Sequence, residues 1–160
     1  MYSKDGGNTR LLADTVKECF NKPYYFGLLN EDIINEVDLI FLGYWTDKGT
    51  CDPKTISFIS KLEGKKVFTF GSAGFGSGDY FTNIINNVNK LLVNNEVIGS
   101  FMCQGKMPIK VKERYLKQKE DKVFIPNLDL LIENFDKALS HPDTTDLEAL
   151  KTKLISLNLN

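Results

Sequence analysis

The sequence predicts an α/β fold built on a doubly wound parallel sheet, and three observations support this prediction. Nearly continuous apolar runs of strand length, such as 37–45 and 66–71, alternate with segments of helical periodicity. Runs without interleaved polar residues are typical of strands covered on both faces. Strands that alternate with helices imply βαβ crossovers, which join parallel neighbours and are almost always right-handed. Ligands bind such sheets where the strands end, so the loops after the strands are where we expect a site.

The first half of the chain contains two predicted helices and a buried strand. An apolar stripe predicts an amphipathic helix over 8–20, directly after a glycine turn. Residues 24–26 are aromatic and compatible with a short strand, although Pro23 and Gly27 flank them. A buried strand follows over 37–45. Asp52 and Pro53 then form an N-cap followed by proline at the first helical position, and Gly64 ends that helix.

The second half continues the alternation. The predicted elements are strands over 66–71 and 97–102 and helices over 80–92, 110–117 and 128–139. Thr145 and Glu148 have the spacing of a capping box, which predicts that a last helix begins there. We find no internal repeat and no linker, so we expect a single domain over 1–160.

Composition excludes several classes of function. The chain has 160 residues, and its 20 Lys and Arg against 21 Asp and Glu give a net charge of −1, so it lacks the basic field that nucleic-acid binding needs. No apolar run approaches the roughly 20 residues that span a bilayer, and no signal-peptide pattern opens the chain, which predicts a cytoplasmic protein without a membrane segment. Three cysteines and one histidine, with no CxxC pair, do not supply a four-ligand zinc site.

The first loop, residues 2–9, leads directly into the first helix. Its backbone N–H groups and the helix N-terminus are suited to an anion such as phosphate. It contains neither GxxxxGK[ST] nor GxGxxG, so it is neither of the common nucleotide motifs. The alternative is an ordinary turn before a capped helix.

Three further loops end at the same predicted edge. The second loop, residues 44–51, carries the only tryptophan, Trp45, whose indole could stack on a planar ring or belong to the core. The third loop, residues 71–78, consists mainly of small residues that allow a close backbone approach, or serve as a flexible connection. The fourth loop, residues 103–108, completes the edge. Four such loops together point to a ligand more strongly than any one of them.

The segments YSKDGGNTR, VDLIFLGYWTDKGTCD, VFTFGSAGFG and SFMCQGKMP resemble the flavodoxin family over essentially the whole chain. More narrowly, they resemble short flavodoxin-like proteins of anaerobic Firmicutes, some of which accompany bilirubin reductase. The resemblance implies a sheet of order 2-1-3-4-5 and non-covalent binding of FMN by a protein that carries electrons between redox enzymes. The implied phosphate contacts are Lys4, Asp5, Gly6, Gly7, Asn8 and Thr9. The implied ring contacts are Tyr44, Trp45, Thr46, Lys48 and Gly49 from the second loop, Ser72, Ala73, Gly74 and Phe75 from the third, and Gln104 at the fourth.

The sequence departs from the family pattern at two places that affect the implied FMN binding and the implied first strand. Lys4 and Gly6 stand where the family has hydroxyl side chains, which removes two donors to a phosphate. Only Met1 and Tyr2 precede Ser3, where the family has a full apolar strand, so the first strand is missing or very short. In that case we expect unpaired backbone groups and an apolar trough, unless the gene start is truncated or strand rearrangement or homodimerisation fills the gap.

The residues and the resemblance together favour an electron carrier over an enzyme. Its expected partners are reductases, including a bilirubin reductase. The alternative is a flavodoxin-like interaction module or a reductase accessory subunit whose FMN binding is weak or lost.

Overall fold

A four-stranded sheet forms the centre of the computed structural model, which describes residues 1–4, 6–20, 23–76 and 78–159. Its strands are β1 Leu39–Asp47, β2 Thr50–Cys51, β3 Lys66–Ala73 and β4 Glu96–Gln104, in the order β2-β1-β3-β4. β1, β3 and β4 run parallel, and the short β2 returns antiparallel beside the end of β1. The buried apolar runs of the sequence therefore form the parallel strands that they predict.

Helices connect these strands and complete the chain. They are α1 Gly7–Glu18, α2 Pro53–Ile59, α3 Asp79–Asn89, α4 Ile109–Glu120, α5 Leu128–Ala138 and α6 Thr144–Ile155, with a 3₁₀ turn over Ile34–Glu36. The N-cap predicted at Asp52 is confirmed, because its carboxylate accepts hydrogen bonds from two backbone N–H groups of α2. The capping box predicted at Thr145 and Glu148 is wrong. Asp143 and Asp146 form it instead, since Asp143 keeps the extended backbone that an N-cap needs.

The first residues form a very short first strand. Tyr2 makes parallel bridges to Leu28 on one side and to Gly43 of β1 on the other. Gly43 N–H donates to the Met1 carbonyl at 2.9 Å, and Ser3 N–H donates to the Gly43 carbonyl at 3.0 Å. With Leu28 and Tyr2 placed before β1, β3 and β4, the order is the predicted 2-1-3-4-5 arrangement. Residues 24–26 form no strand, and the bridge lies two residues later, at Leu28.

Helices cover both faces of the sheet. One core cluster joins Leu12 of α1 and Leu150 of α6 to Phe70 of β3. The other joins Phe58 of α2, Ile84 of α3 and further side chains to β1, including Ile40, Leu42 and Tyr44. Burying each large apolar side chain contributes roughly 1.5–3 kcal/mol. The doubly wound fold is thus confirmed, and it places the ends of β1, β3 and β4 at one edge.

An apolar cavity of about 260 Å³ lies between the two core clusters, next to Met1. Its walls come from α1, from the start of β1 and from the segment before Leu28, and they include Ala13, Val16, Phe26, Leu39 and Phe41. We call this cavity the N-terminal slot. It corresponds to the trough that a shortened first strand predicts. Among the helices of the described residues, none has the length and apolar character required to cross a membrane.

Candidate functional site

A larger cavity, of about 850 Å³, opens at the carboxyl ends of the strands. We call it the rim cavity. It is lined by Ser3, Lys4, Gly6, Gly7, Asn8, Thr9, Trp45, Asp52, Pro53, Lys54, Ser72, Lys106, Met107 and Pro108. The first, second, third and fourth loops all contribute to this lining, as the topology of a parallel sheet leads one to expect. Its volume falls within the range of about 300–1,000 Å³ that is usual for ligand sites.

The N-terminus of α1 forms one end of the rim cavity. Gly6 and Gly7 have positive φ values of 82° and 65°, and among the described residues no side chain caps the helix, since its N-cap residue is Gly6. The first N–H groups of a helix have no partner within it, and they carry the positive end of the helix dipole. Ser3 also lines this cavity, and its hydroxyl is buried with no hydrogen-bond partner among the described residues. This end of the cavity is therefore suited to an anion.

The charges around the rim cavity add to this preference. Among the described residues, three lysines line it, Lys4, Lys54 and Lys106, against a single carboxylate. That carboxylate, Asp52, is 1% exposed and accepts hydrogen bonds from Lys54 N–H at 3.1 Å and from the Thr55 hydroxyl at 2.8 Å. These donors within α2 surround the Asp52 oxygens, so this carboxylate is already hydrogen-bonded within the protein. The lining residues that the structure describes carry a net positive charge.

The second loop places its two aromatic residues on opposite sides of β1. Trp45 is 40% exposed and lines the rim cavity. Tyr44 is fully buried in the core against β3, where its ring fills the space left by Gly71. Burial raises the pKa of the Tyr44 hydroxyl far above its usual value, and this hydroxyl has no partner among the described residues. Of this pair, only Trp45 is available to a ligand in the rim cavity.

The remaining second-loop residues form a hairpin beside the rim cavity. Lys48 and Gly49 make its two-residue turn, with positive φ values of 48° and 81°. The Gly49 carbonyl accepts a hydrogen bond from Asn87 Nδ2 of α3 at 3.0 Å. Thr46 keeps its hydroxyl buried and without a partner among the described residues. None of Thr46, Lys48 and Gly49 belongs to the lining of the rim cavity.

A hydrogen-bonded group from α5 holds the third loop in place. Asn134 donates from Nδ2 to the Gly74 carbonyl at 2.8 Å and accepts at Oδ1 from Gln104 Nε2 at 2.9 Å. Gln104 therefore supports the third loop, and it is not part of the cavity lining. Ser72 lines the cavity, whereas Ala73 is buried. Phe75 is 44% exposed and packs edge-on against Tyr80.

The fourth loop closes the rim cavity against α1. Asn8 Nδ2 donates to the Lys106 carbonyl at 3.0 Å, and Gly105 N–H donates to the Ala73 carbonyl at 3.0 Å. A Cβ atom at Gly105 would collide with the Asn8 amide and would lie 2.9 Å from the Ser72 Cβ. Glycine at this position is therefore what lets the first, third and fourth loops meet.

The structure brings together seven of the residues that the sequence predicts, namely Lys4, Gly6, Gly7, Asn8, Thr9, Trp45 and Ser72. The predicted contact Asp5 lies outside the described residues. The cavity lining also includes residues that the sequence analysis did not name as ligand contacts, namely Ser3, Asp52, Pro53, Lys54, Lys106, Met107 and Pro108. For Lys106–Pro108 a signal was present, because the fourth loop was already expected at this edge.

Comparison with known proteins shows the family to which this chain belongs. The family model described as "Flavodoxin domain" matches residues 1–154. The chain belongs to this family. A "Flavodoxin-like domain-containing protein BilS" of Clostridium symbiosum (strain WAL-14163) is 34% identical, with 98% of this chain and 93% of the relative covered. A protein of the same description from Clostridioides difficile (strain CD3) is 31% identical, with 92% and 88% covered.

A solved structure is also similar to this flavodoxin-domain chain. It is described as "Solution structure of two-electron reduced Megasphaera elsdenii flavodoxin", with 23% identity, a TM-score of 0.49 and coverage of 86% of this chain and 97% of that one. The family resemblance expected from the sequence is thus confirmed by the family match and by the relatives.

Proposed function

We propose that the protein binds FMN non-covalently in the rim cavity and carries electrons between redox enzymes. The observation that carries this proposal is the meeting of an anion-binding end and an aromatic end in one cavity at the carboxyl edge of a flavodoxin-domain sheet. FMN has this two-part chemistry, with a phosphate at one end and a flat ring system at the other. When bound, it supplies one- and two-electron redox chemistry that protein side chains lack.

The phosphate end of the cavity fits the charge and the hydrogen-bonding capacity of FMN. The uncapped N–H groups at the start of α1 are donors, and the orphaned Ser3 hydroxyl supplies another. Lys4, Lys54 and Lys106 supply positive charge that opposes the phosphate dianion. Backbone donors and lysines thus take over the role of the hydroxyl side chains that the family pattern has at Lys4 and Gly6.

The proposed contact with the flavin ring system depends on Trp45. Its exposed indole can stack on a planar heterocycle, and aromatic pairs contribute roughly 0.5–1.5 kcal/mol beyond the area that they bury. Trp45 and Phe75 also expose 40% and 44% of their surfaces at this side of the molecule. We therefore expect a redox partner to dock around the second and third loops. The relatives named BilS and the resemblance described above suggest a bilirubin reductase as that partner.

The test compares FMN with riboflavin, which has the same ring and no phosphate. Purified protein, freed of flavin, is titrated with each compound while flavin fluorescence is followed. We expect FMN to bind at least tenfold more tightly than riboflavin. Lys106→Met should reduce that ratio severalfold, whereas Lys153→Met, at an exposed position of α6, should leave it unchanged. Equal affinity for the two flavins, or no binding of either, would contradict the proposal.

The departures at Lys4 and Gly6 favour one second candidate. This is an interaction module or reductase accessory subunit that no longer binds FMN. A colourless, folded preparation that quenches neither flavin would select it, and addition of that preparation would then change reductase turnover without any electron transfer through a bound flavin.

A further inference from the structure

Met107 of the fourth loop lies directly on the third loop. Its side chain fills the space beside the Gly74 α-carbon, because a Cβ atom added at Gly74 would collide with Met107 Cγ and Sδ. Met107 is half-buried and also lines the rim cavity. The residue therefore packs against the third loop and at the same time borders the space that is open to a ligand.

The backbone on which Met107 packs is held by α5 and by the end of β4. The Gly74 carbonyl accepts hydrogen bonds from Asn134 Nδ2 at 2.8 Å and from Gln104 Nε2 at 3.4 Å. Asn134 Oδ1 accepts from the same Gln104 amide at 2.9 Å. Because these two amides fix the Gly74 carbonyl, Met107 has a defined surface against which its flexible side chain can pack.

The aromatic residue of the third loop is engaged elsewhere. Phe75 packs edge-on against Tyr80, with their ring centroids 6.2 Å apart, and it does not belong to the described lining of the rim cavity. Apart from glycines and prolines, Trp45 and Met107 are the apolar residues of that lining among the residues that the structure describes. An apolar contact from the third-loop side of the cavity is thus available from Met107 and not from Phe75.

Trp45 and Met107 reach the rim cavity from strands on either side of β3. Trp45 of β1 is in register with Ser72 of β3, and Ser72 is in register with Cys103 of β4, which precedes the loop that carries Met107. Neighbouring strands are about 4.8 Å apart, so β1 and β4 are separated by about 10 Å. A flat ring in van der Waals contact on both faces takes up about 7–8 Å. This separation is compatible with one ring system between the two side chains.

We propose that Met107 is a specificity-determining residue of the rim cavity, which packs on one face of the flavin ring system while Trp45 packs on the other. This inference rests on the proposed function, because it names a contact within the same cavity. The unbranched thioether side chain is polarizable and makes favourable contacts with aromatic rings. Met107 thus takes the role that the family resemblance implied for Phe75. Its contact selects for the ring, whereas the neighbouring Lys106 selects for the phosphate.

The experiment measures flavin affinity for the unaltered chain, Met107→Ala, Met107→Leu and the control Ile109→Ala. Ile109 is 59% exposed and lies just outside the cavity lining. Each chain is titrated with FMN and with riboflavin while flavin fluorescence is followed. We expect Met107→Ala to weaken both flavins by the same factor, at least fivefold, because both have the ring. Met107→Leu should recover most of the affinity, since it keeps the apolar volume, and Ile109→Ala should change neither affinity.

A second measurement uses the unaltered chain and does not depend on the folding of a variant. Methionine methyl groups are labelled with carbon-13, and the Met107 signal is assigned as the one that Met107→Leu, or Met107→Ala, removes. Addition of riboflavin should shift the Met107 methyl signal upfield, as expected above an aromatic ring, and by more than the Met1 and Met102 signals.

The outcomes separate this inference from the proposed function. Binding of neither flavin by the unaltered chain contradicts the proposed function and the inference with it. If both flavins bind, the inference alone is overturned when Met107→Ala leaves both affinities unchanged, when it weakens FMN but not riboflavin, or when the Met107 methyl signal does not move.

Discussion

The Met1 amino group makes the stability of this 160-residue chain depend on pH. Burial lowers its pKa from 8.0 to about 5 in the folded chain. Between these values the unfolded chain binds more protons than the folded chain, so the free energy of unfolding rises with pH. At 1.36 kcal/mol per pKa unit, the full difference is at most about 4 kcal/mol. It is lost below pH 5, where the folded state must bury the charge, and fully recovered above pH 8.

N-terminal acetylation isolates this effect. The acetylated chain keeps an N–H that can donate to the Phe41 carbonyl, but it has no proton to gain. Denaturant unfolding of both chains is measured at pH 6 and pH 8. We expect the acetylated chain to gain about 2 kcal/mol relative to the free chain as the pH falls from 8 to 6, which corresponds to a difference of about 4–8 °C in Tm. Other titrating groups cancel in the comparison. A difference between the two chains that stays constant with pH would refute the reasoning.

Three further substitutions test other parts of the structure. Asp52→Ala removes the N-cap of α2 and the partner of the Thr55 hydroxyl, and we expect urea unfolding to show a loss of about 2–4 kcal/mol. Tyr44→Phe removes a buried hydroxyl without a partner, so we expect unchanged or higher stability in the same assay, together with unchanged FMN affinity; a tenfold loss of affinity would place Tyr44 at the ligand. Asn134→Ala should speed hydrogen exchange in the third loop around Gly74 without affecting the β1 amides, and equal acceleration in both would show general unfolding instead.

Much of the fold could be predicted because burial leaves a direct trace in the sequence. The strands are covered on both faces, so 37–45 and 66–71 are almost continuously apolar, and the glycines and prolines between them mark the ends of elements. The start of α6 was misplaced because Thr145 and Glu148 have the right spacing, as Asp143 and Asp146 also do. Only backbone geometry decides between two such pairs.

The site was predictable where it depends on loop position, and less so where it depends on side-chain direction. Adjacent residues of a strand point to opposite faces, so Tyr44 and Trp45 could not both face one cavity, but the sequence does not show which face holds the ligand. The role of Gln104 is set by Asn134, which lies 30 residues away, and no local pattern reveals such a contact. Lys54 lines the cavity because α2 begins there, which follows from topology rather than from a motif.

Gly105 allows three loops to approach one another beside the rim cavity because it has no side chain. Three separate turns of the chain come within van der Waals distance of one another around its α-carbon, and a single added methyl group would force Asn8 and Ser72 apart. Because the first, third and fourth loops are in close contact here, a displacement of one loop would displace the other two. A side chain at position 105 would therefore alter the arrangement of all three loops without itself belonging to the cavity lining.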